Sequence, residues 1–328
     1  MTKPNFNYRR SRSSIKDKID NISVVIVTHN RSRIVEETLK SCIRQSEPPA
    51  EIIIVDDAST DDTIGVVKRF NFGSIPVKII KNEKNFGGPA KPFNTGIACA
   101  SGDIIALLED DDIWHRDKLA LSRNAFGVFP EAGLVYADYQ PFENDAFVLP
   151  SDPINIKVEP RLITHAEAVK TAMERQFALS LSNMVFRKSC WKRAGGFPEN
   201  FKICADYTFL ARLLRIECRV VHIPKILIYY RVSQNSQYFS SDYIIRNYEK
   251  CRSLDFLFRT FPKSVDPHKR DELGAKLFDV ADKSARAGRC FLAIYLYSWS
   301  LRHGAPPQRV FRAIARVLMK LILKKDYE

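Results

Sequence analysis

Four short apolar runs, at 22–28, 51–55, 77–80 and 104–108, set the pattern of the first third of this 328-residue chain. Rich in β-branched residues, they read as buried strands, since a half-exposed strand would alternate apolar with polar positions. Helical stretches lie between them, the first spanning 32–45 and the third ending at Ala100. Strand and helix thus alternate four times, which predicts a mainly parallel sheet with helices on both faces. A polar cluster closes each run. These are His29-Asn30-Arg31, Asp56-Asp57 with the loop to Asp62, Asn85 to Lys91, and Glu109-Asp110-Asp111-Asp112. In such sheets ligands bind beyond the carboxyl ends of the strands.

Past Trp114 the pattern predicts a helix over 117–126 and a strand over 134–137. Residues 139–162, rich in Pro, Asn and Asp, read as an insertion or loop. Thr164 and Glu167 have capping-box spacing. Residues 181–186 return to the sheet, Gly195-Gly196-Phe197-Pro198 makes a turn, and 205–215 forms a helix with Asp206 near its start. Two strands are expected at 219–223 and 227–230, then helices from 241 onward.

Composition narrows the class. With 45% hydrophobic and 27% charged residues, the chain is expected to fold as a soluble globular protein. No apolar run is long enough to span a bilayer, and no apolar leader opens the sequence. Seven scattered cysteines, never spaced C-x-x-C, suit reduced thiols and a cytoplasmic location. The net charge of +13 is concentrated at the ends. Residues 1–20, read as a mobile tail, hold six Lys or Arg against two Asp; residues 301–328 hold seven against one Asp and one Glu. Basic ends fit an anionic surface, and no nucleic-acid partner is expected. On a helical wheel Arg309, Arg312, Arg316, Lys320 and Lys324 oppose Val310, Phe311, Ile314, Val317, Leu318, Leu321 and Ile322. Residues 307–328 then form either a membrane-surface helix or a helix packed on the domain.

Four consecutive carboxylates repel one another unless a positive charge sits among them. A hard divalent cation carrying a phosphate-bearing substrate would resolve the conflict; a solvated acidic turn is the other reading. Neither G-x-G-x-x-G nor the Walker A pattern is present.

The order of these pieces resembles the inverting family 2 glycosyltransferases, which have the GT-A fold. The matching residues are Val27-Thr28-His29-Asn30, Val55 to Asp61, Asn94 through Gly102-Asp103, and Leu108 to Trp114. Further on come Gly195-Gly196-Phe197, Asp206 through Arg212-Leu213, and Tyr229-Tyr230-Arg231. The resemblance implies an α/β GT-A domain over 21–235, with a nucleotide-binding half (21–115) and an acceptor half (116–235). A helical C-terminal region over 236–328 with a basic amphipathic end would follow. It implies transfer of a sugar from a nucleotide donor, UDP-linked, to a glycan or lipid-linked acceptor in bacterial surface polysaccharide or lipopolysaccharide assembly. The setting would be the cytoplasm or the inner face of the cytoplasmic membrane. Thr28, His29, Asn30, Arg31, Asp57 and Lys91 would bind the nucleotide sugar, Asp110 the ribose or metal, and Asp111 the Mg²⁺ or Mn²⁺ ion. Asp206 would be the general base, unless it is an ordinary acidic residue favoured by the helix dipole. The alternatives are a sugar-phosphate nucleotidyltransferase and a non-catalytic membrane or nucleic-acid binder.

Overall fold

The computed structural model describes residues 21–143, 158–174, 180–232 and 242–325. The basic tail expected at 1–20 lies outside the described residues, as does 144–157 of the expected loop. The first seven elements follow the expected alternation: β1 (Ile22–Thr28), α1 (Val35–Ile43), β2 (Glu51–Asp56), α2 (Thr63–Arg69), β3 (Val77–Lys81), α3 (Ala90–Cys99) and β4 (Ile104–Glu109). Helix α1 starts later than its periodicity suggests, because the Arg31 carbonyl first accepts the N–H groups of Ile34 and Val35 in a turn. Strands run β3-β2-β1-β4, all parallel. Their alternating side chains divide the core: Val25, Ile53 and Leu107 face one side, and Val24, Ile52 and Leu108 the other.

The chain continues as β5 (Ile113–Trp114), α4 (Lys118–Val128), β6 (Ala132–Phe142), β7 (Arg161–Ile163), α5 (His165–Met173), β8 (Val185–Arg187), α6 (Lys188–Ala194), α7 (Ala205–Arg215) and β9 (Arg219–Arg231). These extend the sheet as β4-β8-β6-β9-β5, with β7 also on β9. Two expectations change here. The strands expected at 219–223 and 227–230 are one strand, because a register shift between Ala137 and Asp138 of β6 lets β9 continue past Pro224. Residues 139–142 and 161–162, expected in the loop, belong to β6 and β7, both of which pair with β9. Thr164 caps α5 as expected, its hydroxyl accepting the Glu167 N–H at 3.2 Å.

The topology matters most between β4 and β5. They are neighbours in sequence, yet β8, β6 and β9 separate them in the sheet. The acidic run is a tight turn at the carboxyl end of β4, closed by the Asp112 N–H donating to the Glu109 carbonyl at 3.3 Å and tied beyond it by β5 pairing with Ile228 and Tyr229.

Four helices complete the described chain: α8 (Tyr243–Thr260), α9 (Pro267–Arg286), α10 (Cys290–Leu301) and α11 (Pro307–Lys325). Their apolar faces extend the core that contains Val25 and Leu107. In α11, Val310, Ala313 and Val317 are buried in that core, whereas Phe311, Leu318 and Met319 are exposed. The helix thus packs on its neighbours with one part of its apolar arc and leaves another part open. Among the described residues, no helix is long and apolar enough to cross a membrane.

Candidate active site

A cavity of about 390 Å³ opens at the carboxyl ends of β1, β2 and β4. Thr28, His29, Asn30, Arg31, Asp57, Asp110 and Asp111 line it, together with Glu109, Tyr230 and the loop ahead of α3. Residues from three strand ends thus share one wall.

The chain after β1 acts as a clamp. Asn30 adopts a left-handed conformation (φ 54°) that turns its side chain toward the loop after β2. Its Oδ1 accepts the N–H groups of Thr60 and Asp61 at 2.8 and 3.3 Å. Asp56 accepts the Ser59 N–H at 3.1 Å, closing the same loop. Asp57 lines the cavity while its two oxygens accept from Asn82 Nδ2 (2.8 Å) and Phe86 N (3.0 Å). It therefore holds Asn82 and the loop at Phe86 in place as well as facing the cavity. The structure does not bring Lys91 into the lining: its ammonium pairs with Glu199 at 3.7 Å and lies over the Phe86 ring.

The four acidic side chains separate by surroundings. Asp110 accepts the His29 N–H at 3.0 Å, and Arg31 reaches both Asp110 and Asp111 at 3.4 Å. Asp112 is fully buried, accepting the Arg231 N–H at 3.1 Å, while Arg231 Nε donates to the Asp111 carbonyl. Burial and the charge of Asp111 push the Asp110 carboxyl up to about 7, against Arg31, the Thr28 hydroxyl and the His29 N–H. Burial likewise raises Asp111, opposed by Arg31 and Arg231. Glu109 is raised well above the carboxylate range by burial and then by Asp112, Asp111 and Asp206. Arg31 moves upward, because Asp110 and Asp111 outweigh its burial.

These donors fit a hard divalent cation. Three carboxylates, Glu109, Asp110 and Asp111, line the cavity at raised pKa, so a dication there would favour their ionised forms. Among the described residues, no three His, Cys, Asp or Glu side chains converge as a complete metal cage. Substrate oxygens and water would complete the coordination, as suits a phosphate-carrying ion.

A pH dependence follows. An unfolded Asp titrates near 3.8, whereas folded Asp110 holds its proton to about 7. Between those values the folded state binds more protons, so stability falls as pH rises. Asp61 shifts the other way, to about 2, and its stabilisation is lost only below pH 4. The ligand-free protein is therefore expected to melt several degrees lower at pH 7 than at pH 5, and Mn²⁺ with UDP to narrow that gap. Thermal denaturation across that range tests this; a midpoint that rises with pH would contradict it.

The sequence model of Glycosyl transferase family 2 matches residues 23–189, from β1 into α6. The chain belongs to this family. TarS of Staphylococcus aureus, a poly(ribitol-phosphate) beta-N-acetylglucosaminyltransferase, is 24% identical over 227 residues, 68% of this chain and 37% of TarS. The chain thus spans little more than a third of that relative. The GalNAc(5)-diNAcBac-PP-undecaprenol beta-1,3-glucosyltransferase of Campylobacter jejuni is 36% identical over 91 residues, 28% of this chain and 29% of that protein. In three dimensions, TarS residues 1–349 in complex with UDP-GlcNAc match with a TM-score of 0.63 at 20% identity, covering 90% of this chain and 84% of the other. A mannosyltransferase from Pyrobaculum calidifontis, solved with GDP-Man and Mn²⁺, matches with a TM-score of 0.56 at 19% identity, covering 91% and 80%. The fold is GT-A, a mixed α/β sheet followed here by helices.

In this family 2 glycosyltransferase Asp206 lies in the first turn of α7, with one oxygen accepting the Tyr207 N–H at 2.7 Å. It is close enough for its charge to act on Glu109 and Tyr230, both of which it pushes upward. Three supports escaped the sequence reading. Buried Glu249 of α8 accepts the N–H groups of Lys202, Ile203 and Cys204 at 2.8, 2.7 and 3.2 Å, fixing the chain just ahead of Asp206. Ser182 Oγ accepts the Glu109 N–H at 2.9 Å, while its carbonyl accepts Trp114 Nε1 at 2.8 Å, so one residue grips both ends of the acidic run. Gly88 is required by close approach: a Cβ there would stand 2.8 Å from Lys202 Cα. No local pattern marks Glu249 or Ser182, since their partners lie 45 or more residues away.

Proposed function

We propose that this protein transfers a sugar from a UDP-linked donor to a glycan or lipid-linked acceptor during bacterial surface polysaccharide or lipopolysaccharide assembly, with inversion at the anomeric carbon. The observation that carries this reading is the shared cavity, where Thr28, His29, Arg31, Asp57, Asp110 and Asp111 meet at three strand ends. Its volume suits a nucleotide sugar better than a polymer. UDP-GlcNAc bound to TarS and a lipid-linked substrate named for the Campylobacter relative supply the donor and acceptor classes.

Asp57 would orient the base and Asp110 the ribose, with Arg31 as the cation beside the diphosphate. Asp111, with Asp110, would hold Mg²⁺ or Mn²⁺, which neutralises charge on the departing diphosphate. Asp206 takes the proton of the acceptor hydroxyl, whose oxygen attacks the anomeric carbon opposite the nucleotide. One displacement inverts the configuration without a covalent enzyme intermediate. A nucleotidyltransferase would carry a Gly-rich cationic loop after β1, where Thr28-His29-Asn30-Arg31 stands instead. Incubation with a panel of nucleotide sugars and Mn²⁺, following released nucleoside diphosphate, tests the function. Release from a UDP-sugar that increases with a glycan acceptor is expected; no release from any donor would overturn it.

The membrane surface is a second partner of the same reading. Phe311, Leu318 and Met319 are exposed on α11 beside Arg312 and Arg316. Deleting 307–328 would also strip Val310, Ala313 and Val317 from the core, so Phe311→Ser with Leu318→Ser is the cleaner variant. The wild type is expected to co-sediment with phosphatidylglycerol vesicles and the double variant several-fold less. Equal sedimentation would remove the idea.

A further inference from the structure

Cys190 on α6 and Cys218 just after α7 lie outside the cavity, and the Cys218 thiol donates to the Arg219 carbonyl at 3.8 Å. Both residues are buried, and both carry free thiols. Gly133 on β6 sits against the pair: a Cβ there would stand 2.4 Å from the Cys218 sulfur and 2.7 Å from the Cys190 sulfur. The two sulfurs crowd a single point, and only glycine at 133 leaves room for both.

Fixed backbone brings them together. Helix α7 ends with Glu217 in the left-handed region (φ 55°). The Glu217 N–H bonds the Leu214 carbonyl at 2.9 Å and the Cys218 N–H bonds the Leu213 carbonyl at 3.0 Å, a Schellman closure. Helix α6 ends in the same manner: Gly195 N bonds Lys192 O at 3.2 Å and Gly196 N bonds Trp191 O at 3.0 Å. Arg193 donates to the Ile216 carbonyl at 3.2 Å, tying α6 to the turn that carries Cys218.

We propose that Cys190 and Cys218 are a peroxide-sensitive dithiol that closes to a disulfide within the folded protein. The Cys190 thiolate attacks one oxygen of a hydroperoxide. The O–O bond breaks, the leaving oxygen takes a proton and departs as water or an alcohol, and Cys190 becomes a sulfenic acid. Cys218 then attacks that sulfur, its proton leaving with the hydroxyl as water while the S–S bond replaces S–O. Two thiols lose two electrons, and one peroxide gains them. The division of labour agrees with the surroundings. The neighbouring Cys218 thiol and then, against burial, Arg193 and Arg187 hold Cys190 down to about 7. The Cys190 thiol beside it and burial raise Cys218. Cys42 shows the opposite case, pushed up to about 12 by burial alone. The new bond would bracket the segment carrying Gly195, Gly196 and Asp206, and restrain its opening.

Peptide mapping of the full chain tests this without any assay of sugar transfer. Reduced protein is treated with a few equivalents of hydrogen peroxide at neutral pH, alkylated, and digested without reductant. The expected product is the Cys190 peptide joined to the Cys218 peptide, restored to two free thiols by dithiothreitol. Exposed Cys99, replaced by Ser in a parallel sample, serves as the competing ordinary thiol. In Cys218→Ser, Cys190 is expected to stop at the sulfenic acid and be trapped by dimedone. Full alkylation of both residues after peroxide, or oxidation confined to Cys99, would overturn the proposal. If the serine variant fails to fold, the wild-type peptide map decides by itself.

Discussion

Asp206→Asn is expected to lower kcat for sugar transfer by about a thousandfold while leaving donor affinity within about twofold of wild type. Asp206 would have two separable roles, one structural and one as the proposed base. In the first turn of α7 it interacts favourably with the helix dipole, and one oxygen accepts the Tyr207 N–H. Asn keeps an acceptor oxygen at that place, so the structural loss amounts to the charge–dipole part, about 1 kcal/mol or less. Proton removal from an acceptor hydroxyl has no such substitute, because a carboxamide is not a base near neutral pH. The two roles therefore predict different results. A structural Asp206 gives a slightly lower melting point and near-normal turnover. A catalytic base gives a normal melting point, unchanged calorimetric binding of UDP-sugar and collapsed kcat. Full turnover in the variant would end the assignment. Glu249 adds a control, since Glu249→Gln weakens the grip on residues 202–204 while leaving the Asp206 carboxylate in place. It should cost far less in kcat than Asp206→Asn.

The part of this architecture legible in the sequence is the part encoded locally. β1, β2 and β4 announce themselves as apolar β-branched runs, and the polar residues that end them follow directly in sequence. Strand ends of a parallel sheet lie on one edge, so Thr28, Asp57 and Asp110 had to meet once the alternation was recognised. Other features depend on distant partners. Strand β9 reads as two pieces because Pro224 interrupts it, and only a register shift in β6 carries the pairing across. The turn from Glu109 to Asp112 also depends on β5 pairing with distant β9, a contact no spacing rule contains. Lys91 directly follows a cavity-lining loop in sequence, yet in the first turn of α3 its ammonium pairs with Glu199, far along the chain. Arg231 makes the contrasting case: its place in the Tyr229-Tyr230-Arg231 motif was visible, but its hold on Asp112 and on Glu37 of α1 was not. The four carboxylates look equivalent in sequence and become distinct only through these contacts.

That distinction yields the second large prediction. Asp111→Asn is expected to reduce metal-stimulated turnover at least a hundredfold, because charge neutralisation by a bound dication is worth several kcal/mol in the transition state. The same substitution should raise the melting point of the ligand-free protein. Asp111 is the largest like-charge neighbour of Asp110, and removing its charge leaves Asp110 facing Arg31 with less repulsion. Loss of function together with gain in stability is the signature of a carboxylate kept in an unfavourable place for a ligand. Asp112→Asn should behave in the opposite way. Its side chain is buried and holds the Arg231 backbone, so an amide there risks an unmatched donor and costs about 1–3 kcal/mol of stability. Its effect on metal dependence should be secondary to that loss. Titrating Mn²⁺ against turnover and against melting temperature in both variants separates the cases. If Asp111→Asn kept its Mn²⁺ stimulation while Asp112→Asn lost it without destabilisation, the metal would belong to the buried carboxylate and the assignment along the run would have to shift by one residue.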